Sequence, residues 1–431
     1  MVDAPARRPR ILITLGDPCG IGPELLLATL TAIRRWADVI VVGSEAGVDL
    51  LEPTFAKRVQ WRWGELPFPA PAGWKGEAHG LWTTQGGWEQ PQAQGCALWL
   101  DPTPDIEKEH LTLGEGSAIS GRAAYEAVRE GAQLVMSGFA DALVTLPLSK
   151  AAVHAAGHDI PGHTEFLQKL SGSPITRMAF VSPSLSVVLH TVHQSLRSVL
   201  ESVDTESVAE TLSFAADRFI QLTGKLDLRV ALCALNPHAG ENGAFGDEEL
   251  ALQEALTLAE ASFLDFNLPE GSDSPFSSLA SPFEPDSLPE GWEIYPTAPT
   301  GFKGFSGGRD IEVISSKTHG LKARKPAPRF YGPLPADSLF HRAVRGEFDL
   351  VIALYHDQGL IPMKVLEPSR AVNLTLGLPF IRTSPDHGTA FDKAGKWVAD
   401  PVNFLEATAL AVRLAGRAKG TGWSAEVGAG G

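Results

Sequence analysis

Short apolar runs recur along the chain at Ile11–Leu15, Val39–Val42, Ala142–Leu146, Leu185–Leu189, Val230–Leu235 and Leu350–Leu354. Their length and their content of Val, Ile and Leu predict strands. Between them, apolar residues return at helical spacing, as over Pro23–Trp36 and Thr205–Leu222. Strand and helix in alternation predict an α/β fold. Most of the runs end in a polar, glycine-bearing or histidine-bearing loop, which is where open α/β sheets hold their ligands. The chemistry is therefore expected on those loops.

Two stretches break the alternation. From about Gln60 to Pro104, Trp, Gly and Pro concentrate without helical periodicity, and a hairpin-rich excursion is expected there. Phe266–Arg329 opens with a tract rich in Pro, Ser and Glu, Leu268–Pro289, and continues into the glycine-rich and basic Gly301–Lys325. It is read as an insertion, with regular structure resuming at Pro335.

Length, charge and cysteine use narrow the picture. The 431 residues exceed what one hydrophobic core organises, so two domains or one two-lobed body is expected. A formal net charge of -15 excludes a broad nucleic-acid-binding face, and it means that an anionic substrate needs a locally positive pocket. Cys19, Cys96 and Cys233 lie too far apart in sequence to suggest a disulfide framework or a cysteine zinc site. With no signal-peptide pattern and no run near the ~20 apolar residues of a membrane span, the expectation is a cytoplasmic protein with no membrane or nucleic-acid partner.

Candidate chemistry follows the strand ends. The first apolar run feeds Gly16-Asp17-Pro18-Cys19-Gly20-Ile21-Gly22-Pro23-Glu24, with Pro23 suited to the first position of a helix. The glycine spacing is neither the dinucleotide nor the P-loop fingerprint, so this loop reads equally as a tight turn or an anion site. His193, His238 and His356 each follow an apolar run. Three such imidazoles can converge on one cation and leave positions open for substrate oxygens, although any one alone reads as a hydrogen-bonded loop residue. Asp357 is a candidate acceptor that orients a histidine ligand, the alternative being a residue that simply caps the loop. Lys364 and Arg382 offer a point charge and a bidentate clamp to a carboxylate or phosphate, the alternative being a solvated surface pair. In Pro161-Gly162-His163-Thr164-Glu165 a loop enters a helix, with amides and a hydroxyl for phosphate, or with Thr as a simple cap.

At these residues the chain resembles the 4-hydroxythreonine-4-phosphate dehydrogenase family of vitamin B6 biosynthesis. The resemblance lies in Gly16-Asp17-Pro18 through Pro23-Glu24, Pro161 to Phe166, Leu235-Asn236-Pro237-His238-Ala239-Gly240-Glu241, Gly332 to Asp337, Tyr355-His356-Asp357-Gln358-Gly359-Leu360, and Val372 to Ala390. It implies metal ligands at His193, His238 and His356, and substrate contacts at His163, Thr164, Lys364, Asn373 and Arg382. Asp386, His387, Gly388, Thr389 and Ala390 look like the nucleotide loop of related enzymes. The implied fold is a two-lobed α/β/α body like that of the isocitrate and isopropylmalate dehydrogenases, not a Rossmann fold. One lobe would hold 1–148 with 372–431, the other 149–371, and a homodimer would complete the active site at its interface.

The implied activity is NAD- or NADP-dependent oxidation and decarboxylation of 4-hydroxythreonine 4-phosphate to 3-amino-2-oxopropyl phosphate, with one divalent metal (Zn, Mg, Mn or Co) per subunit. Cys19, Asn242, Pro385 and the loop Leu146-Pro147-Leu148-Ser149-Lys150 depart from the family pattern, as does the insertion. These departures leave room for a related dehydrogenase of threonate or erythronate phosphate or of a dihydrodiol carboxylate. Read from the histidines and cations alone, a metal-dependent phosphohydrolase or aldolase is the rival of another class.

Overall fold

A computed structural model describes residues 8–51, 59–85, 88–90, 94–264 and 327–421. The expected insertion lies outside the described residues as far as 326. The chain opens with β1 (Arg10–Thr14), α1 (Gly22–Trp36), β2 (Asp38–Val42), α2 (Ala46–Asp49), β3 (Gln60–Gly64), β4 (Glu77–Thr84), β5 (Gln94–Asp101), α3 (Ala118–Met136) and β6 (Ala142–Thr145). Next come α4 (Lys150–Ala155), α5 (His163–Ser171), β7 (Arg177–Val181), β8 (Ser186–Leu189), α6 (Leu196–Ser202), α7 (Thr205–Thr223), β9 (Arg229–Cys233) and α8 (Glu248–Leu264). The remainder is β10 (Arg329–Leu334), α9 (Ala336–Ala343), β11 (Leu350–Ala353), α10 (His356–Leu366), β12 (Val372–Leu376), β13 (Ile381–Pro385) and α11 (Val402–Thr421).

Each of the six apolar runs is a strand, displaced by no more than a residue or two, and Pro23 lies in the first turn of α1. The reason is visible in β1. Ile11 and Ile13 pack into one core with α1 and α11, while Leu12 packs into a second core with α3. Successive side chains of a strand point to opposite faces, so helices on both faces demand apolar residues at every position.

Thirteen strands among the described residues form one mixed sheet in the order β10-β9-β11-β8-β7-β12-β13-β6-β1-β2-β5-β4-β3. The excursion after Gln60 is an antiparallel meander, β3-β4-β5, joined to the sheet through the parallel pair β2–β5. Regular structure resumes at Arg329, ahead of the expected Pro335, because β10 pairs in parallel with β9 before α9 begins. Strands β7 to β11 form one continuous stretch of the sheet, and the other strands form a second. The stretches meet where β7 and β12 pair antiparallel, and β12 then turns back antiparallel onto β13.

Candidate active site

The β12–β13 junction carries polar side chains next to the apolar strand β6. Thr375 of β12 lies opposite Arg382 of β13, Asn373 opposite Ser384, and Arg382 opposite Leu143 of β6. Strand periodicity puts Arg382 and Ser384 on one face with Asn373 and Thr375, and puts Thr145, two residues beyond Leu143, there too. Thr383 points the other way and donates to the Ala407 carbonyl of α11. The polar face opens into a cleft of about 350 Å³, whose wall includes Thr145, Lys150, His163, Thr164, His193, Asn373, Arg382 and Asp386.

Arg382 is only 2% exposed. Its Nε and Nη2 donate to Thr145 Oγ1 at 3.1 and 2.7 Å, and its Nη1 donates to Thr375 Oγ1 at 3.0 Å. Hydroxyls satisfy hydrogen bonds without cancelling charge, so the guanidinium keeps its full positive potential toward the cleft. Burial lowers its pKa to about 10, and Glu165 partly opposes the shift. It stays charged at neutral pH, in keeping with the clamp role expected from sequence and against a solvated surface pair.

His163 opens α5 and aims a buried Nε2 that has no hydrogen-bond partner. Burial, then the charges of Arg382 and Lys150, push its pKa down to about 3, so it is neutral. Asn373 Oδ1 and His387 Nε2 are likewise buried without a partner. Unsatisfied buried polar atoms are uncommon in folded proteins, and several around one cleft mark a ligand's place. Thr164 is the second residue of α5, whose N-cap is Gly162, so it is not the cap that its sequence position allowed.

His193 follows β8 and His356 follows β11, and these strands are parallel neighbours. Their carboxyl ends bring the two imidazoles to a centroid separation of 5.8 Å. His356 Nδ1 lies 2.7 Å from Asp357 Oδ1, the expected orienting partner, which leaves Nε2 free. His238 follows β9, the other neighbour of β11. It stands in a left-handed run in which His238, Ala239, Glu241 and Asn242 have φ of 53, 53, 43 and 57°. Such conformations cost on the order of 1–3 kcal/mol each outside glycine and persist only where surroundings impose them. Here Glu249 anchors the base of the loop by accepting the Leu235 and Asn236 amides. Among the described residues, the one group of three ligand side chains with atoms within 4.8 Å of one another is Glu45, Glu77 and His79, none of which lines the cleft. A single chain thus pairs His193 with His356 and does not gather all three histidines tightly.

Lys364 reaches the cleft's edge and pairs with Asp386 at 3.0 Å. Asp386 also donates its backbone N–H to Asn403 Oδ1 at 2.6 Å. Asp386, His387 and Gly388 line the cleft, while the Thr389 carbonyl accepts the Ile21 amide and Ala390 adopts φ 43°. This loop thereby docks on the segment after β1, which is a packed turn, one of the two readings its sequence left open. Gly16 has φ 73°, and a Cβ there would lie 2.2 Å from the Pro147 carbonyl. Asp17 is fully buried and accepts from the Cys19 amide and the Ser120 hydroxyl, and burial raises its pKa to about 6.

Thr145, Lys150, Glu165 and Ser384 also belong to the site, and the sequence reading assigned none of them a role. Lys150 begins α4 four residues after the apolar run Ala142–Leu146, and the strand-end rule that singled out the histidines, applied to cations, would have found it.

Residues 85–282 and 299–411 match a family model described as pyridoxal phosphate biosynthetic protein PdxA. The chain is 34% identical to a 4-hydroxythreonine-4-phosphate dehydrogenase of Geobacter metallireducens, over 97% of this chain and 98% of that one. It is 33% identical to a D-threonate 4-phosphate dehydrogenase of Cupriavidus necator, over 95% of this chain and 98% of that one. A crystal structure of 4-hydroxythreonine-4-phosphate dehydrogenase from Klebsiella pneumoniae is similar with a TM-score of 0.66 at 29% identity, over 96% of this chain and 99% of that one. A terephthalate 1,2-cis-dihydrodiol dehydrogenase from Burkholderia xenovorans shares the fold, with a TM-score of 0.52 at 22% identity over 94% and 98% of the two chains.

Proposed function

We propose, from the premise that this chain belongs to the family of the pyridoxal phosphate biosynthetic protein PdxA and is a dehydrogenase, that it oxidises and decarboxylates 4-hydroxythreonine 4-phosphate. The observation that carries the reading is Arg382, a buried guanidinium bonded only to hydroxyls at the floor of a cleft. A charge left uncompensated in this way fits a phosphate or carboxylate ligand. The partnerless polar atoms of His163 and Asn373 beside it support the same assignment.

Transfer of hydride from the substrate's C3 to NAD or NADP, with loss of the C3 hydroxyl proton, gives a β-keto acid, whose carboxylate leaves as carbon dioxide while C2 takes up a proton to yield 3-amino-2-oxopropyl phosphate. His193, His356 and His238 suit a divalent cation (Zn, Mg, Mn or Co), being loop imidazoles at neighbouring strand ends, one already oriented by Asp357. When bound, such an ion supplies Lewis acidity to the reacting oxygen. Arg382, Thr164 and the neutral His163 then hold the substrate, with Lys364 at the opposite edge as a further cation. The loop Asp386–Ala390 is the proposed nucleotide contact. The strand stretches on either side of the β7–β12 pair are the proposed lobes, 149–371 and 1–148 with 372–431.

A homodimer is supported by apolar residues left exposed beside the histidines. Ile361 and Val365 of α10 are 61 and 76% exposed, and Leu196 of α6 is 66% exposed. A cytoplasmic setting agrees with three free, buried cysteines, and among the described residues no helix is long and apolar enough to cross a membrane. D-threonate 4-phosphate, which carries a hydroxyl in place of the amine, is the second candidate substrate, named for a relative of nearly equal identity. Paired assays of NADH and carbon dioxide on both phosphorylated acids test the proposal. Stoichiometric release from 4-hydroxythreonine 4-phosphate supports it, and much faster turnover of the threonate, or of a dihydrodiol, reassigns the substrate.

A further inference from the structure

We propose that Lys150 is a substrate-binding residue which, from the rim of the cleft, brackets the same anionic group that Arg382 holds from the floor. The inference rests on the reading of the cleft as a site for a phosphorylated acid.

Lys150 lines the cleft with Arg382 and His163. Among the described residues it makes no ion pair and no hydrogen bond through its ammonium, whereas Lys364 is bound to Asp386. It is the first residue of α4, next to the Ser149 cap.

The ammonium stands close to the start of α5: a Cβ at Gly162 would lie 3.6 Å from Lys150 Nζ, an ordinary contact, and 2.9 Å from Glu165 Oε2, so glycine there leaves room for that carboxylate at the same rim. Charge accounting points the same way. A phosphate monoester carries close to two negative charges at neutral pH, Arg382 supplies one positive charge, and the adjacent His163 is neutral. Glu165 also lines the cleft and acts on Arg382, which adds to the need for a second cation, and Lys150, whose field already reaches His163, is a lining cation that makes no ion pair among the described residues. An acidic protein, with net charge -15, needs such local compensation to attract a dianion at all.

The test uses the full-length enzyme with its metal and nucleotide, the phosphorylated acid as substrate and inorganic phosphate as competing probe. Lys150→Met should raise both the substrate KM and the phosphate inhibition constant roughly ten- to hundredfold, as loss of one charged hydrogen bond does, with kcat changed by no more than about threefold. Lys150→Arg should restore most of the loss, and the nucleotide KM should not move. Lys150 is exposed, so the melting temperature is expected to stay put and report intact folding. Unchanged KM and phosphate inhibition in Lys150→Met, or a fall in kcat alone, overturns the proposal. Arg382→Lys measured alongside separates the two readings: if it responds and Lys150→Met does not, only the role of Lys150 fails. If both leave phosphate inhibition unchanged, the anion cleft itself is wrong.

Discussion

Arg382 shows how a single buried charge is kept available. A carboxylate partner would neutralise it and lower its value for a ligand, whereas Thr145 and Thr375 orient it through oxygens that carry no net charge. Removing Thr145's acceptor strands two buried N–H groups, at about 1–3 kcal/mol. Thr145→Val should therefore lower stability by that amount in urea unfolding and raise the substrate KM, and Thr145→Ser should recover both. Equal behaviour of the Val and Ser variants would count against a positioning role. Asp17 makes a different prediction, about pH. Burial raises its folded pKa to about 6, against ~3.9 for an unfolded aspartate. The folded state thus binds the proton more tightly, and this residue's contribution to stability falls as pH rises from about 4 to about 6. A shift of two units corresponds to about 3 kcal/mol. Denaturant midpoints measured across that range should fall more for the native chain than for Asp17→Asn, which keeps an acceptor for the Cys19 amide without the ionisable group.

At the level of elements, what the sequence disclosed depended on whether a residue's local role and its functional role differ. The strands of the parallel core were legible because burial on both faces leaves apolar residues at every position, as in β1, and the meander was legible from its lack of helical period. Thr145 and Thr375 were not. Threonine is an ordinary strand residue, so nothing in Leu143-Val144-Thr145 or Leu374-Thr375-Leu376 distinguishes a hydroxyl that holds Arg382 from one that fills a strand. Glu165 was hidden because an acidic residue in the first turn of a helix, here α5, is ordinary, and Lys150, at the start of α4, because the strand-end signal was followed only for histidines. The histidines were visible through their places after strands, and β8, β11 and β9 being neighbours in the sheet is why that spacing carried information. Asp386 was expected to face nucleotide, and its carboxylate is engaged by Lys364 at 3.0 Å. A half-exposed pair of this kind contributes at most ~1 kcal/mol to stability. Asp386→Asn should accordingly leave the melting temperature nearly unchanged and, by releasing Lys364, raise the substrate KM severalfold while the nucleotide dissociation constant stays within about twofold. A selective loss of nucleotide affinity in calorimetry would return the carboxylate to the nucleotide.

For the whole molecule the proposed function raises the question of how three histidines would serve one ion when a single chain brings only His193 and His356 near each other. The left-handed run that carries His238 is costly and is held by Glu249, which implies that its direction matters. Exposed apolar side chains stand on the elements that carry two of the histidines. Phe245 lies beside His238 with ring centroids 6.4 Å apart and is 51% exposed, and Ile361 and Val365 project from the helix that His356 begins. Burying a side chain of this size gains ~1.5–3 kcal/mol, so on the proposed homodimer a second copy covering these residues would also complete the ion's shell. Assembly and metal content should then be lost together. Val365→Asp combined with Ile361→Asp places charge on exposed positions and should leave the fold intact by circular dichroism. Light scattering should report monomers, elemental analysis a fall in bound divalent metal, and assays a loss of turnover that excess Zn, Mg, Mn or Co does not restore. Chelation of the native protein should abolish turnover without dissociating it, and metal should bring turnover back. A monomeric variant that keeps its metal and its activity would show that one chain closes the site by itself, with His238 swinging toward His193 and His356.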